Sequence, residues 1–296
     1  MRGSIRHWSS LVAAGAIAAV VLAIVPAAVS SAGPRVCSGT FSSPGVLAGT
    51  YWTNVVVRGV CAVNGGPAVV HGDVTVTGGS ALVAAFGAND VAGSGTSSLS
   101  VTGDVYLSRN AAAVLGCEPE AFPCLDDPTL TSSDTIGNNL IVTNALGVIV
   151  HASTIKGWVN ETGGGGGVTC TPTPGSAFAA FQSPDYSDYE DNTVGHGIEV
   201  SHVRSCWFGA LRNTVGQAAT FSRNAMADPD AMEIATNTFH GNLACSQNSP
   251  NVQFGDSDGS PNVVYKHATG QCGFKVLQPD PAPNGPMRHI SVHPKA

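Results

Sequence analysis

Apolar and polar residues alternate along this chain in short runs, and late in the sequence the alternation becomes a repeat. Three stretches, Asn192 to Val203, Asn213 to Asn224 and Asn237 to Asn248, align without a gap. Each opens Asn-Thr-apolar, and each has Ser at its tenth position: Ser201, Ser222 and Ser246. Apolar or small residues hold the third, seventh and ninth positions: Val194, Ile198 and Val200, then Val215, Ala219 and Phe221, then Phe239, Leu243 and Cys245. The starts lie 21 and 24 residues apart, a period of stacked repeat architectures. Alternate side chains of a strand share one side. The three columns are therefore predicted to face inward in a coil of three short strands per turn, each strand bonded to its copy about 4.8 Å above and below. The leading Asn suits a corner, because it tolerates left-handed backbone and its amide can bond along a stack of copies.

The same pattern extends forward to Asn262, with Val264 and Ala268 in place. Backwards it reaches Asn144, 48 residues before Asn192, where Leu146, Val150, Ala152 and Ser153 match. From Val55 to Leu107 the chain is a series of short β-branched runs such as Val55-Val56-Val57 and Val74-Thr75-Val76, separated by Gly-containing turns. A second unit begins with Gly: Gly72-Asp73-Val74 and Gly103-Asp104-Val105, with looser copies at Gly137-Asn138-Asn139-Leu140 and Gly241-Asn242-Leu243. Two excursions interrupt the coil, one from Cys117 through Cys124 to Pro128, the other from the glycines 163–167 to the Pro-rich stretch 172–174. The predicted class is all-β, a parallel β-helix (β-solenoid) with irregular loop excursions over residues 33–275, followed by an irregular tail, 276–296. Helix signals are weak outside the first thirty residues.

Those first residues read as a signal peptide over 1–32: Arg2 and Arg6 precede an apolar run from Leu11 to Val25 and a small-residue exit at Ser30-Ser31-Ala32. A membrane span from Leu11 to Val29 is the alternative, disfavoured by Pro26. Without Arg2 and Arg6 the chain keeps 11 basic residues against 20 acidic, a formal charge of −9. That balance argues against a nucleic-acid or anionic-membrane partner, which needs a basic stripe. Eight cysteines follow the leader: Cys37, Cys61, Cys117, Cys124, Cys170, Cys206, Cys245 and Cys272. In an exported chain they are expected to form four disulfides, of which 105 connectivities are formally possible. Pairing of sequence neighbours is expected, since Cys37 to Cys61 spans 24 residues and Cys245 to Cys272 spans 27, each about one turn. Each such loop would stabilise the fold by roughly 3 kcal/mol. No CxxC spacing supports zinc.

Several of these segments resemble exported actinobacterial proteins of the right-handed parallel β-helix type. The residues that carry the likeness are Pro44-Gly45-Val46-Leu47 with Gly59-Val60-Cys61, Gly103-Asp104-Val105, Gly163 to Cys170, and Gly241-Asn242-Leu243-Ala244-Cys245 through Gly270-Gln271-Cys272. The resemblance covers most of the mature chain. It implies the fold, export and a Cys245–Cys272 bridge, and it brings no established activity. The wider superfold hosts pectate-lyase-like enzymes, but fold alone does not carry their chemistry.

Candidate chemistry falls on one face and one edge. The fifth, eighth and eleventh positions of the repeat place His196, Glu199, His202, Gln217 and Arg223 outward, where they could contact a sugar chain laid along the axis. Asp185 and Asp230 both lie seven residues before a repeat, and Asp188 and Glu233 both lie four before, in what read as acidic loops. Two turns apart, each pair would be separated by about 9.6 Å. That is the upper end of the spacing an inverting glycosidase uses to admit water. The same carboxylates could hold Ca2+. Among bases for a lyase only Arg204, Arg212 and Arg223 fall within the repeats, without a recognisable signature around them. Asp256-Ser257-Asp258-Gly259-Ser260 begins like a calcium loop and Gly255-Asp256-Ser257-Asp258-Gly259 fits GxSxG, yet neither has the flanking elements of its motif. Tyr51, Trp52, Trp158, Tyr186, Tyr189 and Trp207 could stack on sugar rings if exposed, or fill the core. The expectation is a non-catalytic structural or glycan-contacting protein at or beyond the cell envelope. The alternative is a polysaccharide hydrolase or lyase using the four acids.

Overall fold

The computed structural model describes residues 33–254 and 259–273; the predicted leader and the tail 276–296 lie outside them, as do Asp256, Ser257 and Asp258. The described chain is a coil of parallel strands on three faces. The first face runs from Arg35–Gly39 through Val74–Val76, Leu140–Thr143 and Ile198–Ser201 to Ala268–Gly270. The second runs from Gly45–Val46 through Ala81–Ala84, Gly147–His151 and Tyr186–Glu190 to Met232–Ala235. The third runs from Gly49–Tyr51 to Val263–Val264 and is built of strands of two or three residues. Every pairing between these strands is parallel and in register. The bare coil takes 19 residues, from Val55 to Val74 and again from Leu140 to Val159. Longer turns carry excursions.

The predicted inward columns are the core. Val194, Ile198, Val200, Val215, Ala219, Phe221, Phe239, Leu243 and Cys245 are all buried. Toward the C-terminal turns the valines of the early coil give way to larger rings, with Tyr189, Phe208 and Phe221 packed at centroid separations of 6.1 and 5.7 Å. On the outside of the third face, Thr135, Thr154, Thr193, Thr214 and Thr238 form one column, a stack that suits β-branched residues.

The corners explain both repeats. Between the second and third faces, the side-chain oxygen of each corner residue accepts the backbone N–H one turn below. The series runs from Leu99 to Asp134, Ser153, Asn192, Asn213, Asn237 and Asn262. From Asn192 onward each amide also donates to the next one's Oδ1 at 2.9–3.1 Å. A second ladder, Asn224–Asn248–Gln271, closes the corner between the first and second faces. The Gly-Asp-Val units form the third: Asn54, Asp73, Asp104 and Asn139 each accept the backbone N–H one turn above. The preceding Gly is needed for approach, since a Cβ on Gly103 would lie 2.2 Å from Asp73 Oδ1. Buried corner groups are thereby paired, as a buried backbone requires.

Asn144 does not belong where the repeat placed it. It sits at the corner after the first face, in a left-handed column with His202, Arg223 and Gln247, at φ values of 53° to 59°. Its counterpart in the Asn192 ladder is Ser153. Two corners share the same two-residue device, a left-handed residue followed by an amide, so a match in sequence can land one corner out of register.

All four disulfides join sequence neighbours: Cys37–Cys61, Cys117–Cys124, Cys170–Cys206 and Cys245–Cys272. The first and last lie inside the core at its two ends, where open strand edges most need reinforcement. The second closes the loop 117–124 at the start of the first excursion. The third ties the excursion 163–185 to the coil beside Ser205. Four bridges fit an oxidising, extracellular environment. Among the described residues no helix is long and apolar enough to cross a membrane. The second excursion holds one helical turn, Ala177–Ala180, capped by Ser176 and absent from the sequence expectation. All five glycines 163–167 take positive φ, which let the chain leave the first face past Ala145 and Arg204.

Candidate functional site

The four candidate acids are on the outside of the second face, and they are not loop residues in solvent. Asp188 and Glu233 lie within strands, two turns apart in one outward column with Gly209 between them, so the predicted pairing holds. Their exposures are only 6% and 2%, and those of Asp185 and Asp230 are 1% and 8%. Both excursions fold over this face, Phe122 from one and Phe178 from the other, making a second apolar layer with Val114, Ile149 and Tyr186. Sequence patterning sees the strand's inner side as core; it does not reveal that a loop from elsewhere covers its outer side.

The gap between Asp188 and Glu233 is filled. The indole of Trp207 lies across Gly209, where an added Cβ would meet Trp207 Cη2 at 2.1 Å and Asp188 Oδ1 at 2.6 Å. Trp207 Nε1 donates to Glu233 Oε1 at 3.0 Å. Asp185 accepts both the backbone N–H and the hydroxyl of Thr173, fixing the second excursion, while burial raises its pKa against those bonds. The backbone N–H of Asp230 donates to Asp228 Oδ1 at 3.0 Å.

Beside Asp188 lies a polar cluster that sequence reasoning missed. His151 and Glu190 are register partners on adjacent turns, and Asp188 is on the same outward side two residues earlier. His151 Nε2 is 3.3 Å from Asp188 Oδ2, and Nδ1 is 3.8 Å from Glu118 Oε1 and 3.9 Å from Glu190 Oε2. Phe122 stacks on the imidazole at a centroid distance of 4.8 Å. Arg212, a candidate base, is instead clamped: Nε and a terminal nitrogen hold both oxygens of Asp191 at 2.7–3.0 Å, and the same nitrogen donates to Glu190 at 2.6 Å. Burial opposes charge on His151, but the carboxylates of Asp188, Glu118 and Glu190 outweigh it and raise the pKa. Burial and then Asp188 push Glu190 upward, opposed by His151 and Arg212. The alternation Asp188-Tyr189-Glu190 was the available signal, because period-two spacing puts both acids on one side; His151 joins them only through the register.

The other candidate residues are outside. His196, Glu199, His202, Gln217 and Arg223 are all exposed. They do not form one axial row: His196 and Gln217 are at the corner between the third and first faces, Glu199 is on the first face, and His202 and Arg223 are at its far corner. A different row does run along the axis. At the corner after the third face the successive residues are Trp52, His71, Thr102, Gly137, Lys156, Gly195, Gly216, His240 and Tyr265, each after Trp52 hydrogen-bonded through its backbone to the turn below. Trp52 stacks on His71 with centroids 4.1 Å apart, and His240 on Tyr265 at 4.7 Å. Trp52 is 76% exposed and Tyr265 66%. Trp158 flanks the middle of the row, 6.0 Å from His196. Of the other aromatic candidates, Tyr186 and Tyr189 are buried and Trp207 is half-buried. Searches against protein-family models, curated proteins and solved structures find no match to this chain.

Proposed function

We propose that this is an exported, non-catalytic β-solenoid that binds polysaccharide along the corner between its third and first faces. The observation that carries the reading is the axial row with an exposed ring pair at each end, Trp52–His71 and His240–Tyr265. Between them Gly137, Gly195 and Gly216 leave the backbone bare. Aromatic faces at the ends of a smooth, sparsely charged ridge suit the apolar faces of sugar rings, with Trp158, His196 and Gln217 alongside as polar and stacking contacts. Export by the predicted signal peptide supplies the compartment, which the four disulfides favour. The hydrolase or lyase reading needs water or substrate between Asp188 and Glu233, the place Trp207 takes.

The test is retention of the mature chain on insoluble cell-wall and plant polysaccharides, with and without calcium, beside assays for new reducing ends and unsaturated products. Binding without product is expected, and the double variant Trp52→Ala, Tyr265→Ala should weaken it at least about tenfold, a loss of about 1.4 kcal/mol. Failure to bind any glycan, or release of product, would overturn the proposal.

A further inference from the structure

We propose that His151, Asp188 and Glu190 bind a single divalent cation of the manganese or zinc type, with Glu118 of the first excursion closing the site as a positioning residue. One donor atom from each of the three lies within 4.8 Å of the others. His151 Nε2 and Asp188 Oδ2, at 3.3 Å, already have the separation of neighbouring ligands on an ion with bonds of about 2.1 Å. His151 is 1% exposed, yet neither ring nitrogen has a hydrogen-bond partner, and Asp188 Oδ1 and Glu118 Oε1 are likewise buried without one. Native proteins rarely leave so many buried polar atoms unpaired in one place.

Charge points the same way. Glu118, Asp188 and Glu190 surround His151, with Arg212 from the neighbouring turn bridging Glu190 to Asp191 and Tyr186 beside them. Arg212 is spent on both oxygens of Asp191 and one of Glu190. Glu118, Asp188 and much of Glu190 then face a single imidazole. A divalent ion balances them and gives the orphaned atoms a partner. Nε2 is the ligating nitrogen, because Asp188 Oδ2 lies 3.3 Å from it. Glu118 and Glu190 are both nearer Nδ1, where Glu118 can accept Nδ1–H and fix the tautomer, the usual outer partner of a metal-binding imidazole, while Glu190 reaches the ion by a side-chain rotation. Phe122 holds the ring from its face. One nitrogen with two or three carboxylate oxygens selects borderline ions over calcium and magnesium, which prefer all-oxygen shells.

The experiment uses the mature, disulfide-bonded protein, stripped with chelator and titrated by calorimetry and equilibrium dialysis with Mn2+, Zn2+, Ca2+ and Mg2+. One equivalent of Mn2+ or Zn2+ is expected, with Ca2+ and Mg2+ at least about tenfold weaker. His151→Ala should abolish that equivalent. Glu118→Gln should weaken it by about 10–100-fold. Loss of an exposed imidazole outside both sites, His267→Ala, should leave it unchanged. Zn2+-loaded wild-type protein gives a readout independent of the variants' folding: X-ray absorption should show one imidazole in a nitrogen–oxygen shell. No stoichiometric uptake, equal affinity for Ca2+, a folded His151→Ala that still takes up the ion, or an absorption spectrum with several imidazoles would each overturn the assignment.

Discussion

Replacing Asn213 with Ala is expected to destabilise the fold by about 4 kcal/mol. The amide of Asn213 accepts the backbone N–H of Asn192 at 3.1 Å and donates to the backbone C=O of Tyr189 at 2.6 Å and to Asn237 Oδ1 at 2.9 Å. Alanine leaves the buried N–H of Asn192 without a partner, costing about 1–3 kcal/mol, and removes three further amide bonds, to Tyr189 C=O, Asn237 Oδ1 and Asn192 Nδ2, at about 0.5–1.5 kcal/mol each. Urea unfolding followed by circular dichroism measures the change. The exposed neighbour Thr214, replaced by Ala, should shift stability by no more than about 0.5 kcal/mol, since it lies outside the ladder. A loss in Asn213→Ala no larger than that of the control would mean that the amide column is ornamental.

The second large effect is pH-dependent and comes from the core. Glu161 occupies an inward position on the first face, between Val142 and Val200, where every other turn has an apolar residue. Ser187 and Tyr189 donate hydroxyl bonds to its two oxygens at 2.6 and 2.8 Å, but burial dominates and raises its pKa from 4.5 to about 7. An acid that holds its proton more tightly when folded contributes stability that is complete below its unfolded pKa and lost as pH rises through the folded one. Glu161 should therefore cost the protein about 3 kcal/mol between pH 4.5 and pH 7. Asp134, also buried and also raised to about 7, adds a loss of the same sign. The neutral isostere Glu161→Gln can offer one acceptor and one donor to the same two hydroxyls. It should match wild type near pH 4.5, exceed it by about 3 kcal/mol at pH 8, and keep the slope that Asp134 and the other buried acids, Asp185 and Glu190, contribute between them. A variant less stable than wild type at pH 8 would show that the carboxylate is charged and compensated in the core.

The shape of this molecule was legible because a solenoid repeats its physics at each turn. Val194, Ile198 and Val200 are buried for the same reason as Val215, Ala219 and Phe221, and the two-residue alternation shows it directly. The pairing of Cys37 with Cys61 and of Cys245 with Cys272 follows from the same one-turn spacing. Asn144 shows the limit: left-handed corners with amides occur more than once per turn, and local pattern does not say which corner a given Asn closes. The candidate site was legible only in part. Asp188 and Glu233 were rightly aligned, but their burial depends on Trp207 and on two excursions whose path no periodicity encodes. His151 and Glu118 reach Asp188 from 37 and 70 residues away in sequence, through register and through a disulfide-closed loop respectively. The Trp52–Tyr265 row is a column of unlike residues, so it has no repeat signature at all.

Double-mutant cycles among the corner amides test the register most directly. Asn213 and Asn237 are 24 residues apart but bonded in one ladder, whereas Asn213 and Asn224 are 11 residues apart and belong to different corners. With alanine at each position singly and in pairs, unfolding free energies should give a coupling of at least about 1 kcal/mol for Asn213 with Asn237 and additivity within about 0.5 kcal/mol for Asn213 with Asn224. Coupling that follows distance along the sequence, stronger for Asn213 with Asn224 than with Asn237, would contradict the stacked coil and everything positioned by it.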